Sequence, residues 1–254
     1  MSHYNQSTDD LFFGTYYSSK NVPWYYIPGW VAISTPITYI VFFLVGVLSF
    51  IRGFKLHEDN GRPIFILGWI FAPILSVIVF HSVLYNAWRQ MFFIYPGVLL
   101  FSVYGIKELY FFLQHWYPKA HGFLFMILAI DMVFTLIFMI IAHPFQNVYF
   151  NTLAGNVQNN FELDYWGLSY RKGLEYIAKT DARPSVNIYV ANLPGQNNLM
   201  VLPSADQNRI HVVKTLASAD YFITNYPGKI KDYPYTLVFS VNINRARLLG
   251  VYKL

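Results

Sequence analysis

Trp30–Ile51 reads WVAISTPITYIVFFLVGVLSFI and contains no charged side chain. Three further apolar segments follow it, at Ile64–Leu84, Met91–Leu113 and Gly122–Ala142. Each is close to the ~20 residues that a helix needs to cross the ~30 Å hydrocarbon core of a bilayer. Because lipid offers no hydrogen-bond partners, each of these segments must satisfy its own backbone groups. The sequence therefore predicts four transmembrane helices.

Charged residues are few and unevenly distributed. They make up 12% of the chain, against about 25% in an ordinary soluble domain. Residues 29–142 hold only six basic and four acidic side chains, and a soluble core of that size does not stay so apolar on its outside. Pro36, Pro73 and Pro96 fall within the predicted spans, where we expect them to bend or start helices rather than break them.

The composition also excludes several classes of site. The chain has no cysteine, which excludes a disulfide framework, a thiol nucleophile and a cysteine metal site. Its net charge of +5 is spread out without a Lys/Arg run, so we expect no nucleic-acid partner. Neither a dinucleotide-binding nor a P-loop glycine pattern occurs in the second half.

After Ala142 the pattern becomes that of a small α/β domain. Ser169–Lys179 has apolar residues at helical spacing and ends before Arg183-Pro184. Asn242–Arg247 is predicted to form the turn of a final hairpin. Five short segments are predicted to be strands: Val186–Ala191, Ile210–Thr215, Asp220–Asn225, Thr236–Ile243 and Leu248–Lys253.

Basic residues in the loops predict the orientation. The loops that follow spans one and three carry three and two basic residues, whereas the loop after span two carries only Arg89. The positive-inside rule then places the N-terminus, the Arg89 loop and everything after His143 outside. The predicted fold class is an α-helical membrane protein with four transmembrane helices and a C-terminal small α/β extracytoplasmic domain. Its parts are an external segment (residues 1–28), a transmembrane domain (29–142) and the extracytoplasmic domain (143–254).

The predicted external N-terminus has no cleavable signal peptide before it. Without an upstream span such an end is hard to export. We therefore hypothesise that the chain is the C-terminal part of a longer protein, or one piece of a split one. The predicted location is a bacterial inner (plasma) membrane.

Asn21–Trp30, NVPWYYIPGW, is the first candidate for a binding surface. Trp24, Tyr25 and Tyr26 stand directly before the first span. Aromatic residues at a membrane entry are typical of the interfacial belt. The alternative is a wall for a lipid or sugar ligand, because flat rings stack on both.

His81–Pro96, HSVLYNAWRQMFFIYP, is the second candidate. Arg89 is the basic residue of this outer loop, and it is expected either to reach phospholipid headgroups or to clamp a ligand phosphate through its planar guanidinium. Tyr85, Asn86 and Trp88 would then supply hydrogen bonds and a stacking surface.

Further residues are candidates for supporting roles. His81 and His143 lie at the ends of spans two and four, and the His143-Pro144 pair also suits a helix end. Asp131 lies in the middle of span four, where an acid is costly and is expected to face the interior of the bundle. Glu162 and Asp164 suit either acid–base or metal chemistry, or a structured loop whose acids bond backbone amides.

Three blocks together carry a resemblance. PWYYIPGW before a span, YNAWRQMFFIYP between spans and HPFQNVYFNTLAG with FELDYWGLSYRKGLEYI after the last span resemble the C-terminal half of bacterial family 39-type glycosyltransferases. These are GT-C fold membrane enzymes, similar to the dolichyl-phosphate-mannose protein mannosyltransferases and the lipid A aminoarabinose transferases. The resemblance covers most of residues 21–254, including the closing VFSVNINRARLLGVYKL.

The resemblance implies sugar transfer from a polyprenyl-phosphate donor on the external face, with inversion at the anomeric carbon. It implies a catalytic Asp in a first external loop, and a divalent metal ion that assists some members. That loop is absent here, and Asp9 and Asp10 do not stand in the matching context. Ala87 and Gln90 replace a Gly and a His of the family pattern, which puts the role of that His in doubt. A separate N-terminal half is therefore an implied partner, beside membrane lipid and the sugar donor.

Two functions follow as expectations. The first is a membrane glycosyltransferase portion, with Arg89 on the donor phosphate and the aromatic residues on the lipid or sugar. The second is a non-enzymatic membrane interaction or assembly subunit that presents its outer domain.

Overall fold

The structure, a computed structural model, describes residues 9–53, 61–84, 86–243 and 246–254. Contacts divide them into two compact units. The helical unit comprises residues up to Asp10 together with Tyr17–Ile141 and Tyr149–Ala154. The sheet unit comprises Leu11–Tyr16, Ala142–Val148 and Gly155–Leu254. The change of unit near residue 142 lies where the composition changes, although two short segments belong to the opposite unit from their neighbours.

A short hairpin that the sequence analysis did not predict precedes the first helix. Its strands are β1 (Asp9–Phe12) and β2 (Thr15–Ser18). Phe13 and Gly14 between them have φ angles of 46° and 76°, and two such residues in succession form the turn that matches the twist of paired strands.

Five α-helices are described in the helical unit. They are α1 (Tyr26–Ser34), α2 (Ile37–Gly53), α3 (Gly61–Val79), α4 (Tyr95–Trp116) and α5 (His121–Ile141). A 3₁₀ helix, Arg89–Ile94, leads directly into α4.

Among the residues that the structure describes, three segments are long and apolar enough to cross a membrane: Gly61–Val79, Arg89–Trp116 and Gly122–Ile141. The structure thus supports three of the four predicted spans by length and composition. The first predicted span instead forms α1 and the 17-residue α2, because the chain is extended at Thr35 and α2 begins after Pro36. The other two prolines match expectation, since Pro73 lies within α3 and Pro96 in the first turn of α4.

Helices α2 and α4 pack against each other at glycines. A Cβ atom on Gly46 would lie 2.7 Å from the carbonyl oxygen of Phe101, and one on Gly105 would overlap the carbonyl oxygen of Phe42. Ser102 adds a 2.9 Å hydrogen bond from its hydroxyl to the carbonyl oxygen of Tyr39. Small residues and hydroxyls of this kind are what allow apolar helices to approach closely without a hydrophobic driving force.

The sheet unit contains four helices and five further strands. The helices are α6 (Val157–Asn160), α7 (Tyr170–Thr180), α8 (Leu193–Leu199) and α9 (Ser204–Gln207). The strands are β3 (Val186–Val190), β4 (Ile210–Val212), β5 (Tyr221–Thr224), β6 (Thr236–Ile243) and β7 (Ala246–Lys253).

The five strands form one mixed sheet in the order β4-β3-β5-β7-β6. Strand β3 pairs in parallel with β4 and β5, and β7 pairs antiparallel with β5 and β6. Leu174 and Ile177 of α7 bury themselves with Ile188, Ile223 and Val251 of the sheet. The predicted helix and all five predicted strands are confirmed, although β4 is shorter than expected. The predicted hairpin joins β6 to β7, and residues 244 and 245 of its turn lie outside the described residues.

Candidate functional site

A small pocket lined by both polar and apolar side chains lies in the helical unit, where the segment before α1 meets the end of α3. Its volume is about 130 Å³. Lys20, Asn21, His81 and Ser82 are its principal polar side chains, and Tyr26 also lines it. Two of these five residues, Tyr26 and His81, are among the site residues predicted from the sequence. Lys20, Asn21 and Ser82 gave no motif, because only the fold brings their two segments together.

An apolar groove of about 440 Å³ adjoins this pocket. Side chains from α1, α2, α3, the 3₁₀ helix and α4 line it, and almost all of the exposed lining is carbon. Trp24 and Ile78 line both the pocket and the groove. A recess with several polar side chains beside an apolar groove is an arrangement that suits an amphiphile, with its headgroup in the recess and its hydrocarbon in the groove.

Trp24 stands at the junction with 70% of its surface exposed. Its ring meets that of Tyr25 edge to face, with 5.7 Å between the ring centroids. Tyr25 is itself exposed, and its hydroxyl lies 3.3 Å from that of Tyr17. Both rings therefore have exposed surface on which a ligand can pack.

Tyr26 has a different environment from its two neighbours. It is fully buried, and its hydroxyl donates a hydrogen bond to the carboxylate of Asp10, which is buried as well. Asp10 also accepts a 3.3 Å hydrogen bond from the backbone amide of Ala87. Asp9 and Asp10 stand together in a polar segment without a motif, so the sequence alone does not indicate this role of Asp10.

The loop that follows His81 is held in an unusual conformation. His81, Asn86 and Ala87 have φ angles of 47°, 56° and 60°, in the left-handed region that side chains other than glycine rarely adopt. The amide of Leu84 donates a 2.9 Å hydrogen bond to the carbonyl of Ser19. Tyr85, a predicted site residue, lies outside the described residues.

Trp88 holds the end of this loop in place. It is buried, and its indole nitrogen donates a 3.0 Å hydrogen bond to the hydroxyl of Ser34. The rings of Phe92 and Tyr95 pack on it with centroid distances of 4.8 and 5.7 Å. Protein neighbours thus occupy its faces, and Trp88 positions the loop rather than offering a stacking surface.

Arg89 is the first residue of the 3₁₀ helix and is half-buried. It already has an interaction partner within the protein. The adjacent Gln90 places both atoms of its side-chain amide in buried positions where neither has a hydrogen-bond partner, and a buried amide of that kind is costly unless something pairs with it.

The remaining predicted residues lie elsewhere. Asp131 is half-buried on α5, and its carboxylate interacts electrostatically with the hydroxyl of Tyr149. Burial raises the pKa of Tyr149, and this carboxylate adds to the effect. His143 belongs to the sheet unit, where its Nδ1 atom lies 3.0 Å from the side-chain nitrogen of Gln146.

Among the residues that the structure describes, no group of three or more His, Asp or Glu side chains lies close enough to hold a divalent metal ion. On their own, these residues of the chain therefore do not fit the metal site that the family resemblance implies.

Comparison of the chain with protein-family models, with curated proteins and with solved structures found no match.

Proposed function

We propose that the chain is the C-terminal portion of a membrane glycosyltransferase and that its helical unit binds a polyprenyl-phosphate-linked sugar. The observation that carries the proposal is that Trp24 and Ile78 line both the pocket and the apolar groove. A polyprenyl phosphate has the matching shape, with one anionic group on a long hydrocarbon chain. The family resemblance points to the same class of ligand.

On this proposal the hydrocarbon lies in the groove and the phosphate reaches the pocket. Lys20 lines the pocket, and Arg89 begins the 3₁₀ helix after the loop whose residues His81 and Ser82 also line it. Two cations stabilise a phosphate, and a phosphate that is leaving carries more charge to be stabilised. The exposed rings of Trp24 and Tyr25 then offer flat surfaces for the sugar or the first isoprene units.

The proposed reaction is a displacement at the anomeric carbon. The oxygen of the acceptor hydroxyl bonds to that carbon while the bond from the carbon to the phosphate oxygen breaks, and the phosphate keeps the electron pair. The acceptor proton passes to a base. Asp10 already accepts hydrogen bonds from Tyr26 and Ala87, so we assign the base to a separate N-terminal half and Asp10 to positioning of the loop.

The membrane arrangement is part of the same proposal. We propose four crossings, with α1 and α2 together forming the first, in a bacterial inner membrane. The pocket and the sheet unit then lie on the extracytoplasmic side, as the loop charges predict.

Lipid binding by the full chain in nanodiscs tests the proposal. We expect native mass spectrometry to show a retained polyprenyl phosphate, and several-fold less retention in the Arg89→Ala and Lys20→Ala variants. Arg52→Ala, in the last turn of α2, is the matched control and should bind normally. Equal retention of the uncharged polyprenol would remove the phosphate from the proposal.

A second candidate function is a non-enzymatic assembly subunit. The observation that favours it is α5, which packs mainly against α4 and leaves most of its apolar side chains exposed. Co-expression with a candidate N-terminal half, followed by mass spectrometry of lipid-linked sugars, separates the two. Consumption of the sugar donor supports the enzyme, whereas a stable complex without consumption supports the assembly subunit.

A further inference from the structure

An exposed apolar surface lies on the sheet unit. Trp166, Leu168 and Leu193 form it, with exposed fractions of 55%, 44% and 67%. We call these three residues the Trp166 surface. Exposed Met200 and Val201, just beyond α8, extend the apolar run.

The three residues belong to one edge of the domain. A Cβ atom on Gly167 would lie 2.5 Å from the Cβ atom of Pro194, so the turn that carries Trp166 touches the start of α8. Further along α8, the side-chain amide of Asn198 donates a 3.1 Å hydrogen bond to the carbonyl oxygen of Gly167. Helix α8 therefore runs beside the turn, and Leu193 lies next to it.

Several backbone groups of this turn are hydrogen-bonded within the domain. The carboxylate of Asp164, which is buried, accepts 3.0 Å hydrogen bonds from the amides of Leu168 and Ser169. The amide of Gly167 donates to the carbonyl of Asp164, which also accepts a 2.7 Å hydrogen bond from Asn225. These groups need no water, so the turn can enter an apolar medium without leaving them unpaired.

Charged residues are rare in the two segments that carry this surface. Asp164 is the only charged residue between Leu163 and Tyr170, and none occurs from Ala191 to Ala205. Exposed basic side chains follow directly, at Arg171 and Lys172 in the first turn of α7, where both form surface ion pairs with Glu175 and together leave one net positive charge. An apolar tip that includes Trp and is flanked by basic residues is complementary to the interface of an anionic bilayer.

The chain itself brings this surface near lipid. The apolar helix Gly122–Ile141 ends 25 residues before Trp166. A domain tethered to a bilayer at that distance meets it at high effective concentration, so even a small apolar tip suffices for docking. Trp and Leu side chains favour the boundary between headgroups and hydrocarbon.

We propose that the Trp166 surface inserts into the interface of an anionic lipid bilayer and docks the sheet unit there. This inference rests on the membrane insertion proposed above but not on sugar transfer. It assigns the turn Asp164–Gly167 the task of holding Trp166 in position, and Leu193 the task of widening the inserted tip.

Spin labels measure this insertion directly. Because the chain has no cysteine, single-cysteine variants of the full chain can be labelled specifically and placed in nanodiscs that contain phosphatidylglycerol. Leu193→Cys follows β3, and its matched control Ser185→Cys is exposed just before the same strand. Val133→Cys, exposed on α5, is the control for membrane insertion.

We expect collisions of the Leu193 label with a water-soluble nickel complex to be several-fold rarer than those of the Ser185 label, while its collisions with oxygen are more frequent. Nickel accessibility equal to that at Ser185 would overturn the inference. Protection of Leu193 from both reagents would also overturn it, since a protein partner would then cover the surface. If the Val133 label were instead accessible to the nickel complex, α5 would not be inserted in the membrane, and the proposed function would be contradicted as well.

Discussion

The side-chain nitrogen of Asn151 lies 2.6 Å from the carbonyl oxygen of Thr35, at the point where the first apolar segment breaks. The same nitrogen donates to the carbonyl of Ala32, and the backbone amide of Asn151 donates to that of Ile33. The last turn of a helix leaves its carbonyls without partners. Asn151 thus satisfies three carbonyls that the break between α1 and α2 exposes.

Asn151→Ala removes two of these hydrogen bonds. We expect it to lower the free energy of unfolding by about 2–4 kcal/mol, since each buried carbonyl left unpaired costs about 1–3 kcal/mol. Thermal unfolding in detergent measures the loss. Asn159→Ala, at an exposed position of α6, is the matched control and should change little. Equal effects of both variants would contradict the capping role.

The close packing of α2 on α4 predicts the effect of a single methyl group. Gly105→Ala places a Cβ atom against the carbonyl of Phe42, so we expect a loss of about 1–3 kcal/mol from overpacking. Gly68→Ala on α3 is the control, because a Cβ atom there meets nothing within 4 Å. Unfolding in mixed detergent should separate the two, and tolerance of Gly105→Ala would mean that the helices are further apart.

The conformation of Ala87 predicts a stabilising change. Its φ of 60° costs an L-residue about 1–2 kcal/mol, which glycine avoids. Glycine also gives the unfolded chain more freedom, so we expect Ala87→Gly to raise stability by up to about 1 kcal/mol. Ala72→Gly within α3 should instead lower it by about 1 kcal/mol. A melting temperature that falls in both variants would exclude the left-handed conformation.

The sheet unit should lose stability in acid through Asp181. The Arg183 guanidinium, 2.7 Å away, holds the pKa of this carboxyl far below its ordinary value. A depressed folded-state pKa stabilises the fold above the unfolded value of about 3.9, and the contribution disappears as the pH falls below it. The decline between about pH 4 and pH 2 should therefore be shallower in Asp181→Asn.

Asp164 opposes this trend. Burial, only partly offset by hydrogen bonds from Ser169 and other amides, raises its pKa, so protonation of Asp164 favours the fold. Near-UV circular dichroism on heating, at several pH values, gives the profile. Because the two acids act in opposite directions, Asp164→Asn should steepen the acid loss where Asp181→Asn flattens it. The same slope in all three proteins would contradict both assignments.

Filling the groove should discriminate between lipids by length. Ala32 lines it, and Ala32→Trp removes space that a long isoprenoid needs. We expect several-fold weaker retention of a long polyprenyl phosphate but unchanged retention of geranyl phosphate. Val103→Trp, on an exposed position of α4 outside the groove, is the control. Equal retention of both lengths by Ala32→Trp would place the hydrocarbon elsewhere.

Patterns of local origin could be predicted from the sequence. Strand β6, Thr236–Ile243, has the predicted bounds, because five of its eight residues are β-branched or aromatic. Helix α7 begins and ends within one residue of its prediction, since its apolar residues have helical spacing. The interpretation of Asp164 as an acid that bonds backbone amides is also confirmed.

Features that depend on distant residues could not be predicted. The break at Thr35 is stable because Asn151, more than a hundred residues later, supplies the missing donors. Lys20 and Ser82 acquire a common pocket only in the fold. The hairpin before α1 did carry a local signal, the Phe13-Gly14 pair between short apolar segments, which the sequence analysis did not use.

The position of β7 has a consequence for synthesis. This strand lies between β5 and β6 and contributes Leu249 and Val251 to the core. A nascent chain that has reached Ile243 contains β3, β4, β5 and β6. It still lacks β7, the strand that pairs with both β5 and β6. We therefore expect the domain to fold only after Lys253 has left the ribosome, and a stop codon before Ala246 to yield a product that cellular proteases remove.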